Sequence, residues 1–129
     1  MFLGTDMVCI SQFHQQLLDK ASTFAEQSFT SLELRYAFQH SSGHPERHLA
    51  ARYAAKEAFI KAWSASRWGK PPLLSQVDLR QIEVRNDGYG RPSLFIAETL
   101  RHAVGDHQLQ LSLSHDGDYA LATVLFSQP

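Results

Sequence analysis

Five short stretches of alternating or continuous apolar residues predict β-strands along the chain. They cover residues 2–10, 79–85, 92–96, 107–115 and 119–126. The turn-forming segments 86–90 (NDGYG) and 116–118 (DGD) connect the last four strands in two hairpins. A chain whose strands are joined by hairpins favours an antiparallel sheet.

Helical patterns fall mainly in the first half of the chain. The clearest is the alanine-rich segment 45–66, which contains Pro45 in its first turn and no internal Gly or Pro. Thr30 and Glu33 form a capping box that predicts a helix to about Gln39. Ser11 is expected to cap a short helix, and residues 20–29 fit no clear pattern. The remaining predicted helices cover 12–19 and 97–104. This order indicates an α+β fold rather than a doubly wound parallel sheet.

Composition narrows the class of protein. The 129 residues, 43% hydrophobic and 19% charged, suit one domain over residues 1–129 that needs no disulfide or structural metal. No apolar run is long enough for a membrane helix, and no signal peptide is evident. Twelve Lys and Arg against 13 Asp and Glu give no bulk attraction to nucleic acid or membrane. Cys9 is the single cysteine, which favours a reducing, cytoplasmic setting.

One strand position carries a charge where an apolar residue is expected. Period-two alternation puts Asp6 on the same strand face as Phe2 and Val8. Burial of an unpaired carboxylate is costly, so Asp6 should meet a metal, a cation or backbone amides. Two interpretations stay open: a metal-binding or catalytic carboxylate, and a structural aspartate that caps a nearby helix or turn.

The long predicted helix also carries charges in unusual places. Arg52 and Lys56 fall on or beside its apolar stripe, and Glu57 and Lys61 lie four residues apart just off the edge. A carboxylate beside an ammonium suits a metal-bound phosphate, although an exposed ion pair is the simpler alternative. We expect small residues around this pair to leave room for a ligand; they are Ala50, Ala54 and Ala58.

Histidines offer two further candidates. His115 ends a predicted strand just before a turn, where it could contact phosphate, transfer a proton or stabilise the turn. Residues His40, His44 and His48 have a spacing seen in zinc sites. Gly43 interrupts any single helix through them, so zinc binding is not favoured.

Four segments resemble, in order, those of holo-acyl-carrier-protein synthases, the small phosphopantetheinyl transferases. They are GTDMVCISQF, RYAAKEAFIKAW, GRP (90–92) and SLSHDGDYALATV, and the HLAAR and IKAWS segments are closest to actinobacterial members. The resemblance implies a hairpin-connected sheet packed on one long helix, and a homotrimer that binds coenzyme A between subunits. It implies transfer of 4′-phosphopantetheine from coenzyme A to a serine of an apo acyl carrier protein, with release of adenosine 3′,5′-bisphosphate. The alternative is a coenzyme-A-binding module without catalysis.

The resemblance also implies roles for particular residues. Asp6 and Glu57 would bind Mg²⁺, and Lys61 would contact the pyrophosphate. Arg52 and His115 would reach the phosphates of coenzyme A, including the 3′-phosphate. The turn near the adenine would be formed by Gly90, Arg91 and Pro92. Lys56 fits the motif without an assigned role, and the base that accepts the serine proton stays open between a metal-ordered water and a carboxylate acting through one.

Two positions depart from the family pattern. Many bacterial members carry a glutamate where this chain has Cys9 and an arginine where it has Gln12. The arginine position lies on the helix where family members meet the acidic carrier protein. We therefore hypothesise that the partner is less acidic, such as the carrier domain of a type I fatty acid synthase.

Overall fold

The computed structural model describes residues 1–40 and 43–129. Its helices and strands are β1 (Phe2–Cys9), α1 (Ile10–Leu18), α2 (Phe24–Ser28), α3 (Ser31–Gln39), α4 (Pro45–Ala65), β2 (Ile82–Asn86), β3 (Pro92–Ile96), α5 (Glu98–Val104), β4 (Gln108–Asp116) and β5 (Tyr119–Ser127). The strand predicted from residue 79 begins only at Ile82. Asp78 accepts a hydrogen bond from the backbone of Arg80 at 3.0 Å, which winds residues 79–81 into a 3₁₀ turn.

The strands form two antiparallel units. The larger is a three-stranded sheet in the order β1–β5–β4, and β2 and β3 form a separate hairpin. The register aligns Asp6 of β1 with Ala122 of β5, and Ala122 with Leu113 of β4. One face of the larger sheet packs on α4, so the α+β prediction is confirmed.

The alanines of α4 allow this close packing. Ala50, Ala54 and Ala58 are completely buried. The expectation that they leave room for a ligand is therefore wrong, because the space they leave is filled by the protein itself. At Gly4 the approach is closest: an added Cβ would lie 1.9 Å from the carbonyl oxygen of Ala58.

A Gly4→Ala substitution is expected to destabilise the protein by about 3 kcal/mol, the upper end of the usual cost of overpacking, because the clash is with helix backbone rather than with a flexible side chain. The measurement is the midpoint of urea unfolding. Gly88→Ala is the matched control, since nothing lies within 4 Å of that added Cβ. Equal midpoints for the two variants would contradict the packing described for β1 and α4.

Beneath α4, a buried ion pair joins three parts of the chain. The ammonium of Lys56 donates to the carboxylate of Glu33 at 2.6 Å, and both side chains are fully buried. It also donates to the carbonyl oxygens of Ser28 at 2.6 Å and Leu79 at 2.9 Å. The other carboxylate oxygen of Glu33 accepts the backbone N–H of Val84 at 3.0 Å. Lys56 therefore ties the end of α2, the 3₁₀ turn before β2 and, through Glu33, α3 and β2 to α4.

Glu33 also takes part in the capping box at the start of α3. As the sequence predicts, it completes the capping box with Thr30: the Thr30 hydroxyl accepts the Glu33 N–H at 3.2 Å, and the Glu33 carboxylate accepts the Thr30 N–H at 3.0 Å. One carboxylate thus caps a helix and neutralises a buried lysine. Burial is the main cause that lowers the pKa of Lys56, and the charge of Glu33 opposes that shift.

The start of α1 differs from the prediction. Ser11 lies inside the helix, and Cys9 is the N-cap residue with no capping side-chain bond of its own. Asp118, from the β4–β5 turn, accepts the Ser11 N–H at 2.9 Å and the Ser11 hydroxyl at 2.6 Å. Its carbonyl accepts the Ile10 N–H at 2.7 Å. A residue remote in sequence therefore fixes the first turn of α1.

These bonds hold the pKa of Asp118 below its usual range, chiefly through the Ser11 and Cys9 side chains. A carboxylate with a lowered pKa in the folded state stabilises the fold above its unfolded pKa, and this contribution disappears as pH falls through the folded pKa. As the pH falls below about 4, we expect Asp118→Asn to lose less stability than the wild type, because the variant lacks this carboxylate. Thermal unfolding midpoints measured down the acid range test this. Asp106→Asn, at an exposed loop position, should retain the wild-type acid dependence; a variant at Asp118 that retains it too would refute the assignment.

None of the helices in the described residues has the length and apolar character needed to cross a membrane.

Candidate active site

Asp6 and Glu57 meet in an open cleft of about 370 Å³. Asp6 extends from β1 and Glu57 from α4, and the contact at Gly4 holds these two elements together. The third wall is α1, which contributes Gln12 and Gln16. The sequence predicts that Asp6 meets a metal, a cation or backbone amides; in the structure it meets a cation, since the ammonium of Lys61 donates to the Asp6 carboxylate at 2.9 Å.

Lys61 is placed to change partners. Its ammonium also donates to the carbonyl oxygen of Thr5 at 3.0 Å, and its side chain is 56% exposed, against 18% for Asp6. The ion pair expected as the simple alternative, Glu57 with Lys61, is replaced by one between Asp6 and Lys61. An exposed, flexible cation at the rim can reach an anion in the cleft at little cost.

Electrostatics in the cleft favour a bound cation. Burial, and next the negative charge of Asp6, raise the pKa of Glu57, while Lys61 and a hydrogen bond with Tyr53 oppose the shift. Burial, followed by the charges of Glu57 and Asp6, raises the pKa of Tyr53. A cation bound between the two carboxylates would reduce their electrostatic repulsion at neutral pH.

The donor set fits Mg²⁺. This ion prefers oxygen ligands and is commonly held by one or two carboxylates, with substrate phosphates and water completing the shell. Among the described residues, no group of three or more His, Cys, Asp or Glu is arranged as a metal site. Asp6 and Glu57 would therefore supply a part of the shell and leave the rest for the substrate. The three spaced histidines do not form a zinc site in the described chain.

A second cleft, of about 420 Å³, collects most of the other predicted residues. Arg52, Gly90, Pro92 and His115 line it, together with Tyr36 of α3 and further residues of α4, β2 and β4. Arg91 does not line this cleft. Its side chain is exposed and pairs with Asp87 at 2.6 Å.

Arg52 is nearly completely buried at the floor of this second cleft. It donates to the carbonyl oxygen of His48 at 3.2 Å and to the side-chain oxygen of Asn86, and its guanidinium lies 4.5 Å from the centre of the Tyr36 ring. Its Nε is buried without a hydrogen-bond partner in the described chain. Such a group is costly to leave unsatisfied, and it is consistent with an acceptor arriving from outside.

Within one chain, the two clefts are separate. Arg52 and Glu57 are five residues apart on α4, which places them about 140° apart around the helix. Asp6, Glu57 and Lys61 are brought together on one side, and Arg52 and His115 lie on the other.

Sequence reasoning missed the supporting residues. Three residues contact charged side chains that the sequence predicts for the site: Tyr53, Tyr36 and Asn86. In the sequence alone, each resembles an ordinary apolar or turn residue. Tyr53 carries the one available signal, since it precedes Glu57 by four residues and therefore shares its helix face. Cys9 lines the first cleft and donates to Asp118 at 3.2 Å.

Known proteins share this fold and these segments. The profile of the 4′-phosphopantetheinyl transferase superfamily (ACPS) matches residues 2–124. The chain belongs to this superfamily. A holo-[acyl-carrier-protein] synthase of Corynebacterium glutamicum is 44% identical over 131 residues, which cover 97% of this chain and 96% of the relative. One of Mycobacterium tuberculosis is 42% identical over 127 residues, covering 98% and 96%.

Solved structures of this transferase family agree. The ACPS–CoA complex of Chronobacterium ammoniagenes has a TM-score of 0.91 at 43% identity and covers 99% of this chain and 97% of that one. A holo-(acyl-carrier-protein) synthase from Bacillus anthracis, in complex with CoA (3′,5′-ADP), has a TM-score of 0.73 at 30% identity, covering 97% and 94%. The expected family, its actinobacterial affinity and the transferase class are confirmed.

Proposed function

We propose that this transferase moves 4′-phosphopantetheine from coenzyme A to a serine of an apo acyl carrier protein, in a Mg²⁺-dependent reaction in the cytoplasm. The whole chain, residues 1–129, acts as one catalytic domain. The observation that carries the proposal is the meeting of Asp6 and Glu57 in one cleft, with Lys61 2.9 Å from Asp6 at its rim. The names of the relatives and the CoA complexes of related structures support it.

In the proposed reaction, the serine oxygen bonds to the β-phosphorus of coenzyme A. The phosphoanhydride bond breaks, adenosine 3′,5′-bisphosphate leaves, and the serine proton passes to an ordered water or to a carboxylate acting through one. Mg²⁺, when bound, neutralises the diphosphate and orients it for attack. Asp6 and Glu57 would hold the ion. Lys61 releases Asp6 and stabilises the charge that develops on the leaving phosphate.

The separation of the two clefts supports an assembly. We propose a homotrimer in which coenzyme A lies between subunits, with its diphosphate at Asp6 and Glu57 of one protomer. The 3′-phosphate and adenine would then bind at Arg52, His115 and the 90–92 turn of the neighbour. The unpartnered Nε of Arg52 would find an acceptor there.

Intact-mass spectrometry of an apo carrier domain, incubated with the protein, coenzyme A and Mg²⁺, tests the reaction. We expect a gain of one phosphopantetheine that disappears when EDTA removes the metal. Coenzyme A binding with no mass gain on several carrier domains would favour the alternative, a non-catalytic binding module.

The α1 wall of the first cleft contains no acidic or strongly basic side chain. Across α1, the residues ISQFHQQLL include no lysine or arginine, and Gln12 and Gln16 line the cleft. A carrier protein that presents its serine to Asp6 would lie beside this helix, which forms one wall of the cleft. We propose that it receives a weakly acidic carrier surface, such as that of a type I fatty acid synthase carrier domain.

The comparison is turnover on an isolated type I carrier domain and on a free, acidic carrier protein. We expect the first to be preferred, with a rate that depends little on salt because few charge contacts form. Gln12→Arg should improve use of the acidic carrier and make that rate salt-dependent. A strong wild-type preference for the free carrier would refute this partner.

A further inference from the structure

Tyr53 lies one helical turn before Glu57 on α4 and lines the same cleft. Residues four apart on a helix are neighbours on its surface, and the hydroxyl of Tyr53 forms a hydrogen bond with the carboxylate of Glu57. When Glu57 is ionised, as a metal ligand must be, its oxygens can only accept, so the tyrosine hydroxyl is the donor. A neutral side chain is thus bonded directly to a carboxylate of the proposed metal site.

The ring of Tyr53 is held by two phenylalanines from other helices. Its centre lies 5.6 Å from that of Phe13 on α1 and 5.4 Å from that of Phe24 on α2. Phe13 is only 4% exposed and makes an edge-on contact with Phe29 at 6.2 Å, so these rings belong to the core. Aromatic contacts of this kind are favourable and depend on geometry. The hydroxyl of Tyr53 therefore has a defined position in the cleft before any ion binds.

This hydroxyl engages only one of the two carboxylate oxygens of Glu57, because tyrosine has a single hydrogen to donate. The second oxygen keeps both of its lone pairs. A glutamate side chain has several rotatable bonds, and fixing them on ion binding costs conformational entropy. A hydrogen bond to an ionised acceptor is stronger than one between neutral groups, so Tyr53 restrains the carboxylate and leaves one oxygen for the ion.

The number of free oxygens affects which ion is bound. Ca²⁺ accepts carboxylates that bind through one oxygen or through both, in a flexible shell. Mg²⁺ is smaller and requires a nearly regular octahedral shell, which a carboxylate bound through both oxygens distorts. A Glu57 side chain with one oxygen engaged by Tyr53 therefore suits Mg²⁺ better than Ca²⁺.

We propose that Tyr53 is a positioning residue of the metal site: its hydroxyl holds one oxygen of Glu57 and presents the other to the ion, which favours Mg²⁺ over Ca²⁺. The inference rests on the proposed function, which places the ion at Asp6 and Glu57. Tyr53 acts through Glu57 and takes no part in bond formation or cleavage. It is thus a determinant of metal specificity that the sequence places on the same helix as the ligand.

Tyr53→Phe removes the hydroxyl and keeps the ring with its aromatic contacts. Binding of Mg²⁺ and of Ca²⁺ to the full chain is measured by calorimetry with coenzyme A present and no carrier, so that no transfer takes place. Loss of a group that orients a metal ligand costs about 10–100-fold in metal affinity. We expect Mg²⁺ affinity to fall about tenfold and Ca²⁺ affinity to change less than about threefold, because Ca²⁺ tolerates either arrangement of the carboxylate.

Transfer rates with coenzyme A and an apo carrier give a second readout. Tyr53→Phe should require about tenfold more Mg²⁺ for the half-maximal rate, whereas kcat at saturating Mg²⁺ should stay within about twofold of the wild type, since ion affinity is what is lost. A misfolded cleft would not recover in this way. Tyr119→Phe is the matched control: this tyrosine is 51% exposed and lies outside both clefts, so both affinities and the rate should be unchanged.

The outcomes separate this inference from the proposed function. If the wild type transfers nothing, yet Tyr53→Phe selectively loses Mg²⁺ affinity, the proposed function is overturned and the role of Tyr53 is supported. If the wild type transfers phosphopantetheine and Tyr53→Phe keeps its Mg²⁺ affinity, the role of Tyr53 alone is overturned. Equal weakening of Mg²⁺ and Ca²⁺ binding would also overturn it, because the hydroxyl would then have no influence on which ion is bound.

Discussion

Glu57→Gln is expected to lower kcat for carrier modification at least about 100-fold, because it removes a charged group that would hold Mg²⁺ against the diphosphate. The neutral amide keeps the shape of the side chain but is a weaker ligand for a hard cation. The apparent affinity for Mg²⁺ should fall with the rate. The measurement is initial rate against Mg²⁺ concentration at saturating coenzyme A and carrier.

The stability of Glu57→Gln should not fall with its activity. Burial and the charge of Asp6 raise the pKa of Glu57 in the folded protein, so the ionised form costs stability as pH rises through that raised pKa. Without metal, Glu57→Gln should therefore be at least as stable as the wild type at neutral pH, and this advantage should vanish in acid. A variant that is both inactive and unstable would point to a structural role.

Glu98→Gln is the matched control, since Glu98 lies in the first turn of α5 and outside both clefts. It should retain wild-type kinetics. Retention of more than about a tenth of the rate by Glu57→Gln, with an unchanged Mg²⁺ dependence, would contradict the assignment of Glu57.

Lys56→Met is expected to destabilise the protein by about 3–5 kcal/mol, because it leaves the buried carboxylate of Glu33 without its counter-ion. That is a large part of the total stability of about 5–15 kcal/mol for a typical domain. The measurement is the urea midpoint together with the slope of the transition. Lys20→Met, at an exposed position, is the control and should change little.

The double variant Glu33→Leu/Lys56→Met sharpens the test. Removal of both charges should recover part of the loss, since a buried ion pair can often be exchanged for apolar residues. Recovery should be incomplete, because the N–H groups of Thr30 and Val84 lose their acceptor at about 1–3 kcal/mol each. A Lys56→Met variant as stable as the wild type would refute the structural role.

Local patterns were sufficient for much of this fold. The capping box at Thr30 and Glu33 places the start of α3 correctly, because both partners lie within four residues. Alternation places β4 and β5 to within a residue or two, because one face of β5 is buried and one face of β4 is partly buried. The short helix α2 escaped prediction, since five residues give too little periodicity to detect.

Contacts between distant residues explain what could not be predicted. Asp118 replaces Ser11 as the partner of the first turn of α1 across 107 residues of sequence. Lys56 looks like a motif residue with no role until Glu33 is found 23 residues away. Asp6 clearly required a partner, but the pattern could not choose between a metal and Lys61. The five-residue spacing of Arg52 and Glu57 puts them about 140° apart around α4, but it does not indicate that each of them lines a cleft of its own.

The position of α4 between the two clefts has a genetic consequence. If each catalytic centre combines the Asp6 side of one chain with the Arg52 side of its neighbour, an allele damaged at Asp6 and another damaged at Arg52 can complement each other. In a mixed assembly, some centres then unite two intact halves, so a cell that carries both defective alleles regains activity that neither allele supports alone.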